Sequence, residues 1–161
     1  MRCCWRLQIG NLSVTFEPMK RFQVSTAILA KPQTIWQLLT DASAYPAWNT
    51  TVDKVEGRIA PGETVTVHPK LSRGRTFPVK VTEFVPEKKM AWSSGMPVGL
   101  FKGERTFTLT PRAGGIVEFS MTEVFSGPLS PLIERSIPNL QPAFDEFAEA
   151  LKKTAEAGGQ A

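Results

Sequence analysis

The chain has 161 residues, 42% of them hydrophobic and 21% charged, with 19 lysines and arginines against 15 acidic residues and a net charge of +4. That length carries one sizeable hydrophobic core and is too short for two domains, and the basic residues are scattered among acidic ones, which argues against nucleic acid as a partner. The two cysteines, Cys3 and Cys4, are adjacent, so they supply neither a disulfide framework nor a four-ligand zinc site.

No run approaches the roughly 18 apolar residues of a membrane span, and the first residues lack the apolar region and cleavage site of a signal peptide. A cytoplasmic location is the default expectation. Residues 1–18 differ in character from the rest of the chain, and Met19-Lys20-Arg21-Phe22 leads into a strand as a natural start site would. They read as an N-terminal extension, a poorly anchored tail of the kind that termini often form, for which a misassigned start is one explanation. The alternation of Leu12, Val14 and Phe16 with Ser13 and Thr15 keeps an accessory strand open as the alternative. Residues 19–157 then form the domain, and 158–161 a flexible tail.

Residues 22–28 alternate as a first strand does, and Pro32 stands where the first turn of a helix tolerates proline. Ile35, Trp36, Leu38 and Leu39 give that helix an apolar side. It should stop near Thr40-Asp41, leaving residues 42–48 as a short second turn around Tyr45-Pro46. From Thr51 to Phe125 the pattern is strand, cut into six by turn residues at 61–62, 72–74, 86–89, 95–97 and 111–115. Connections this short exclude parallel crossovers. The expected fold is therefore α+β, a seven-stranded curved antiparallel sheet around a long C-terminal helix, in the order strand, two helices, six strands, helix. The closing helix should begin at Ser130-Pro131 and carry Ile133, Ile137, Leu140, Phe144, Phe147, Ala148 and Leu151 on one side. Pro138 and Pro142 should break it in two.

Alternation assigns Gly103, Arg105, Phe107 and Leu109 to the inward face of one strand, and Val117, Phe119, Met121, Glu123 and Phe125 to that of the next. Each face holds one charge. Pairing that keeps apolar residues opposite one another puts Arg105 across from Met121 or Glu123, so the two charges are direct or diagonal neighbours. An ion pair is expected, either sealed in the core or lining a cavity. A curved sheet around one helix leaves space between them, with Trp92, Phe107, Leu109, Phe119 and Met121 as its strand wall and Leu140, Phe144 and Phe147 as its helix wall. Such a surface suits a small hydrophobic ligand; the alternative is that the aromatics fill one another's volume. Met96 lies in an apolar, glycine- and proline-rich loop that reads either as a portal flap or as a tight connection.

Residues 36–41, 45–49, 103–107 and 123–127, reading WQLLTD, YPAWN, GERTF and EVFSG, together resemble the START-like SRPBCC superfamily, in particular its polyketide cyclase/dehydrase-like branch. The resemblance runs from about residue 19 to residue 157 and implies the helix-grip fold with a hydrophobic cavity. It also implies that the positions of Arg105 and Glu123 face that cavity. In this branch the first is often histidine. Arginine here stays protonated, so it can bind or orient an oxygen but not shuttle a proton.

His68, the chain's one histidine, shares its strand face with Thr64 and Thr66 and is expected to face solvent. No paired histidines, nucleophile elbow, dinucleotide fingerprint or P-loop occurs. Neither a metal nor a cofactor is expected. Three functions compete, in this order: a carrier or sensor of a small lipophilic molecule; a cavity enzyme in which Arg105, Glu123 and Tyr45 converge on a substrate carbonyl; and a ligand-free interaction module. Oligomeric state is left open.

Overall fold

The computed structural model describes residues 20–158; the N-terminal extension expected from the sequence lies outside them. Seven strands form one antiparallel sheet: β1 (Lys20–Leu29), β2 (Val52–Glu56), β3 (Thr64–Pro69), β4 (Phe77–Val85), β5 (Lys89–Gly95), β6 (Lys102–Pro111) and β7 (Ile116–Ser126). Their order across the sheet is β1-β7-β6-β5-β4-β3-β2. Only the step from β1 to β7 joins strands distant in sequence. This is the helix-grip architecture, with the concave face of the sheet wrapped against the C-terminal helix. Register shifts between Val81 and Glu83 in β4 and between Val52 and Lys54 in β2 supply local bending of the kind that bulges produce.

Helix α1 (Pro32–Thr40) opens on Pro32 and buries Ile35, Trp36 and Leu39, with Trp36 edge-on to Phe84 of β4 at 5.1 Å between ring centroids. A 3-10 turn over Ala42–Ala44 leads into α2 (Tyr45–Trp48). Asp41 sets the corner: its carboxylate accepts from Ser43 Oγ at 2.6 Å and from the backbone N–H of Ser43 and Ala44 at 3.0 and 3.3 Å. The Ser43 hydroxyl above all holds the Asp41 carboxyl below its ordinary value; burial opposes it, and the N–H groups of Ala44 and Ser43 each add a smaller lowering effect. A folded-state value lowered in this way contributes stability above the unfolded aspartate's value of about 4 and loses it as pH falls through the folded value. Asp41→Ala should therefore cost about 1 kcal/mol at neutral pH, and the difference from the unsubstituted protein should shrink below about pH 4. Urea denaturation of both proteins at neutral and acid pH checks this.

The closing helical segment is broken where its prolines require. Helix α3 (Ser130–Ile133) passes into a 3-10 turn at Glu134–Ser136, and α4 (Gln141–Gly158) starts afresh. Pro138 lies in the gap and Pro142 in the first turn of α4, where a missing N–H costs nothing. Helix α4 buries Phe144, Phe147, Ala148, Leu151 and Ala155 against the sheet. Its polar side chains also cover the exposed edge of β1: Gln141 Nε2 donates to Gln23 O at 3.0 Å, Lys152 Nζ donates to Ala27 O at 2.8 Å, and Glu156 accepts from Leu29 N–H at 2.9 Å. An edge strand left bare would invite pairing with another chain.

Candidate functional site

One row of side chains crosses the concave face and divides it. Val81 on β4 stands opposite Trp92 on β5, Trp92 opposite Arg105 on β6, Arg105 opposite Glu123 on β7, and Glu123 opposite Phe22 on β1. Of the two partners that alternation allowed for Arg105, the register selects Glu123. Arg105 Nε donates to Glu123 Oε2 at 2.9 Å, and Nη2 donates to the same oxygen. The guanidinium carbon lies 5.0 Å from the centre of the Phe144 ring on α4, within cation–π range. The two charged side chains keep 27% and 14% of their exposure. The pair thus sits at the border of the core, neither sealed inside it nor free in solvent.

On one side of that row the interior is closed. Met90, Phe107 and Met121 form the next row, and Leu109 pairs with Phe119 beyond it; all five are buried. Phe147 of α4 lies 5.1 Å from Trp48, 6.1 Å from Phe107 and 6.1 Å from Phe119 between ring centroids, and Trp92 meets Phe107 edge-on at 5.1 Å. Phe107, Leu109, Phe119, Met121 and Phe147, expected as ligand wall, here pack on one another.

On the other side the apolar surface is looser. Phe125 pairs with Gly103, and its ring comes within 3.1 Å of where a Cβ on Gly103 would sit, so the absence of a side chain there makes room for the ring. Phe101 stacks on Phe125 at 5.8 Å and Phe22 meets it edge-on at 6.4 Å. Val79, Phe101, Ile137 and Leu140 are only half-buried. Met96 lies farther out, on the β5–β6 connection, at 46% exposure. Phe22, Phe101 and Phe125 were not singled out from sequence as ligand contacts. Their signal was present in the inward parity of Phe125 and in the small Gly103 two residues before Arg105.

Tyr45 is buried and its hydroxyl donates to Leu39 O at 2.9 Å. Burial pushes its pKa up, with the charge of Arg105 a smaller opposing effect. Its ring lies 5.0 Å from that of Trp48 and 6.3 Å from that of Trp92. Both indoles are buried, and Nε1 of each has no acceptor among the described residues. An unmet buried donor costs about 1–3 kcal/mol. Asn49, also buried, ends α2 with its backbone N–H donating to Tyr45 O at 2.7 Å, and its Oδ1 accepts from Thr51 N–H at 3.0 Å and Thr51 Oγ at 2.7 Å, which anchors the helical opening to β2.

The polar groups at the dividing row are therefore mainly donors. Arg105 has five N–H groups, of which Glu123 takes two, and Trp92 adds an unmet one across the strand pair. Such a set can receive an oxygen, and the Glu123 carboxylate beside it, engaged by Arg105 through Oε2, is the proton acceptor of the row. His68 is remote from it, its Nε2 2.7 Å from Glu56 Oε2. Lys54 first, then His68, holds the Glu56 carboxyl below its usual value. Two open clefts also lie off the concave face. One, of about 880 Å³, runs between Ala47, Trp48 and Thr50 and the outer side of α4; the other, of about 260 Å³, lies between residues 40–43 and 57–59.

A profile of the family described as "Polyketide cyclase / dehydrase and lipid transport" matches residues 19–156. The chain belongs to that family. No curated protein matches its sequence. Among solved structures it is similar to a hypothetical protein from Helicobacter pylori, with a TM-score of 0.70 at 13% identity over 96% of this chain and 99% of that one. A START superfamily protein from Mycobacterium smegmatis gives 0.61 at 16% identity, covering 85% and 97% of the two chains. A truncated norcoclaurine synthase from Thalictrum flavum gives 0.62 at 15% identity, covering 84% and 92%. At these identities the shared property is the START-like, helix-grip fold. No helix among the described residues is long and apolar enough to cross a membrane.

Proposed function

We propose that this member of the family binds a small lipophilic molecule bearing a carbonyl or carboxylate oxygen, as a carrier or sensor. The observation that carries the reading is the donor-rich character of the row where closed core meets loose surface: Arg105 with spare N–H groups, and Trp92 with an indole N–H that has no acceptor among the described residues. A ligand oxygen placed there would meet the unmet donor, while its apolar body lies along Phe22, Phe101, Phe125, Phe144 and Leu140. Phe107, Phe119, Met121 and Phe147 form the floor beneath it, with Leu109 behind. Glu123 orients Arg105. An enzyme of the polyketide cyclase kind would need a free proton acceptor; Glu123 would be that group, but it is paired with Arg105, and the Tyr45 hydroxyl is committed to Leu39 O.

Native mass spectrometry of protein purified without detergent, followed by organic extraction, tests the proposal directly. A reproducible adduct whose extract is a lipophile with an acceptor oxygen is the expected result. A bare mass that persists after incubation with a panel of fatty acids and aromatic ketones overturns it in favour of an interaction module. With a bound lipophile in hand, Trp92→Phe should weaken its binding about tenfold, the loss of one hydrogen bond to a desolvated oxygen, and leave the fold intact. Phe144→Trp should weaken it by filling space.

A further inference from the structure

Apart from the two indoles, two buried polar atoms have no hydrogen-bond partner among the described residues, Ser130 Oγ and Glu134 Oε1. Ser130 is fully buried, and its hydroxyl takes no part in capping α3, whose N-cap is Leu129. Glu134 opens the 3-10 turn that follows, and its carboxylate has no ion-pair partner among the described residues. Positions four apart on a helical segment share a face. Ser130, Ile133, Glu134 and Ile137 are the less exposed residues of this stretch, and Pro131, Leu132, Arg135 and Ser136 the exposed ones. Ile137 and Leu140, which continue the inner face, pack against the core, so the two polar side chains are turned inward with them.

What they face is the loose half of the concave surface. Lys20 fixes the position: its Nζ donates to Ile137 O at 2.9 Å and to Glu134 O at 3.4 Å, and lies 5.5 Å from the centre of the Phe22 ring. Phe22 meets Phe125 at 6.4 Å and Phe144 at 6.0 Å, and Phe144 in turn carries the Arg105 guanidinium on its face. Ser130 is tied to the end of β7, because its N–H donates to Gly127 O at 3.0 Å. Glu123 and Gly127 are four residues apart on nearly extended chain, about 13 Å. The rings of Phe22 and Phe125 therefore lie between two polar ends, a donor-rich one at Arg105 and Trp92 and a second one that offers a hydroxyl and a carboxylate.

One chemical group meets both unmet atoms of that second end. A hydroxyl oxygen accepts from Ser130 Oγ while its hydrogen is donated to Glu134 Oε1. A ketone or ether oxygen would leave Glu134 facing lone pairs, and an ammonium would bring a second positive charge beside Lys20 Nζ. We propose that Ser130 and Glu134 form a second polar subsite, which receives a hydroxyl at the end of the ligand remote from its carbonyl or carboxylate oxygen. The inference rests on the lipophile reading and sharpens it: the ligand is polar at both ends and apolar between them, spanning about 13 Å.

Isothermal titration calorimetry of the full chain with ω-hydroxydecanoate and with decanoate, which differ only in the terminal hydroxyl, is the test. The hydroxy acid should bind about tenfold more tightly, the effect of one buried hydroxyl that finds both its partners. Ser130→Ala and Glu134→Leu should each bring the two affinities close to equal. In the ligand-free protein Ser130→Ala should leave the melting temperature unchanged, since the hydroxyl has no partner to lose; a clear fall would show it bonded to Glu134 in place of a ligand and overturns the inference. Equal affinities of the unsubstituted protein for the two acids overturn it as well, and leave the lipophile reading standing. A preference that both variants keep places the hydroxyl elsewhere and has the same consequence. Binding of neither acid overturns this inference and the lipophile reading together.

Discussion

Phe147→Ala lowers folding stability by about 3–5 kcal/mol, read as a fall in the urea midpoint with an unchanged slope. Phe147 is the one side chain of α4 that touches three other rings, those of Trp48, Phe107 and Phe119. It is 3% exposed. Its removal leaves a void between α2, α4 and the sheet, which rigid strands on one side cannot collapse to fill. In a chain of this size the melting temperature should drop by about 10 °C. A loss below about 1 kcal/mol would mean that the three ring contacts do not hold the helix to the sheet.

Arg105→Met should cost more than the double substitution Arg105→Met/Glu123→Leu. Removing the arginine alone leaves Glu123, 14% exposed, as a nearly buried carboxylate without its partner, and the expected loss is about 2–3 kcal/mol, below that of a fully sealed pair. Replacing both charges with apolar side chains of similar volume removes that penalty, so the double variant should recover most of the loss. The cycle is measured by chemical denaturation. Equal losses in the single and double variants would show that the pair contributes through packing alone. The same two proteins separate structure from binding: the double variant should fold well and lose affinity for an oxygen-bearing lipophile.

The facing of individual side chains was legible along the chain because a strand's period of two is a local property. Gly103, Arg105, Phe107 and Leu109 alternate with polar residues, and so do Val117, Phe119, Met121, Glu123 and Phe125. The turns were legible from their glycines and prolines, and the break before α4 from Pro138 and Pro142. Choosing between Met121 and Glu123 as the neighbour of Arg105 was not, because either register keeps apolar residues opposite one another, and the choice depends on how the whole β6–β7 hairpin closes through the turn at residues 112–115.

How full the interior is could not be read from alternation either. Parity says that Phe107, Phe119 and Phe147 point inward; whether they leave a space or occupy it depends on ring orientations set by contacts between residues far apart in the chain, such as Phe107 with Phe147 at 6.1 Å. The donor-rich row behaves in the same way. Trp92, Arg105 and Glu123 are separated by long stretches of sequence and become neighbours only through the strand order β7-β6-β5. The end of the sheet where the β3–β4 and β5–β6 connections lie is a further instance. Leu71, Val98, Leu100 and Leu132 are scattered single hydrophobics in the linear chain, ordinary one by one. What residues local in sequence determine is periodicity, and with it the elements and their faces. What non-local pairing determines is which faces and which loop tips stand together, and the proposed ligand site depends on that.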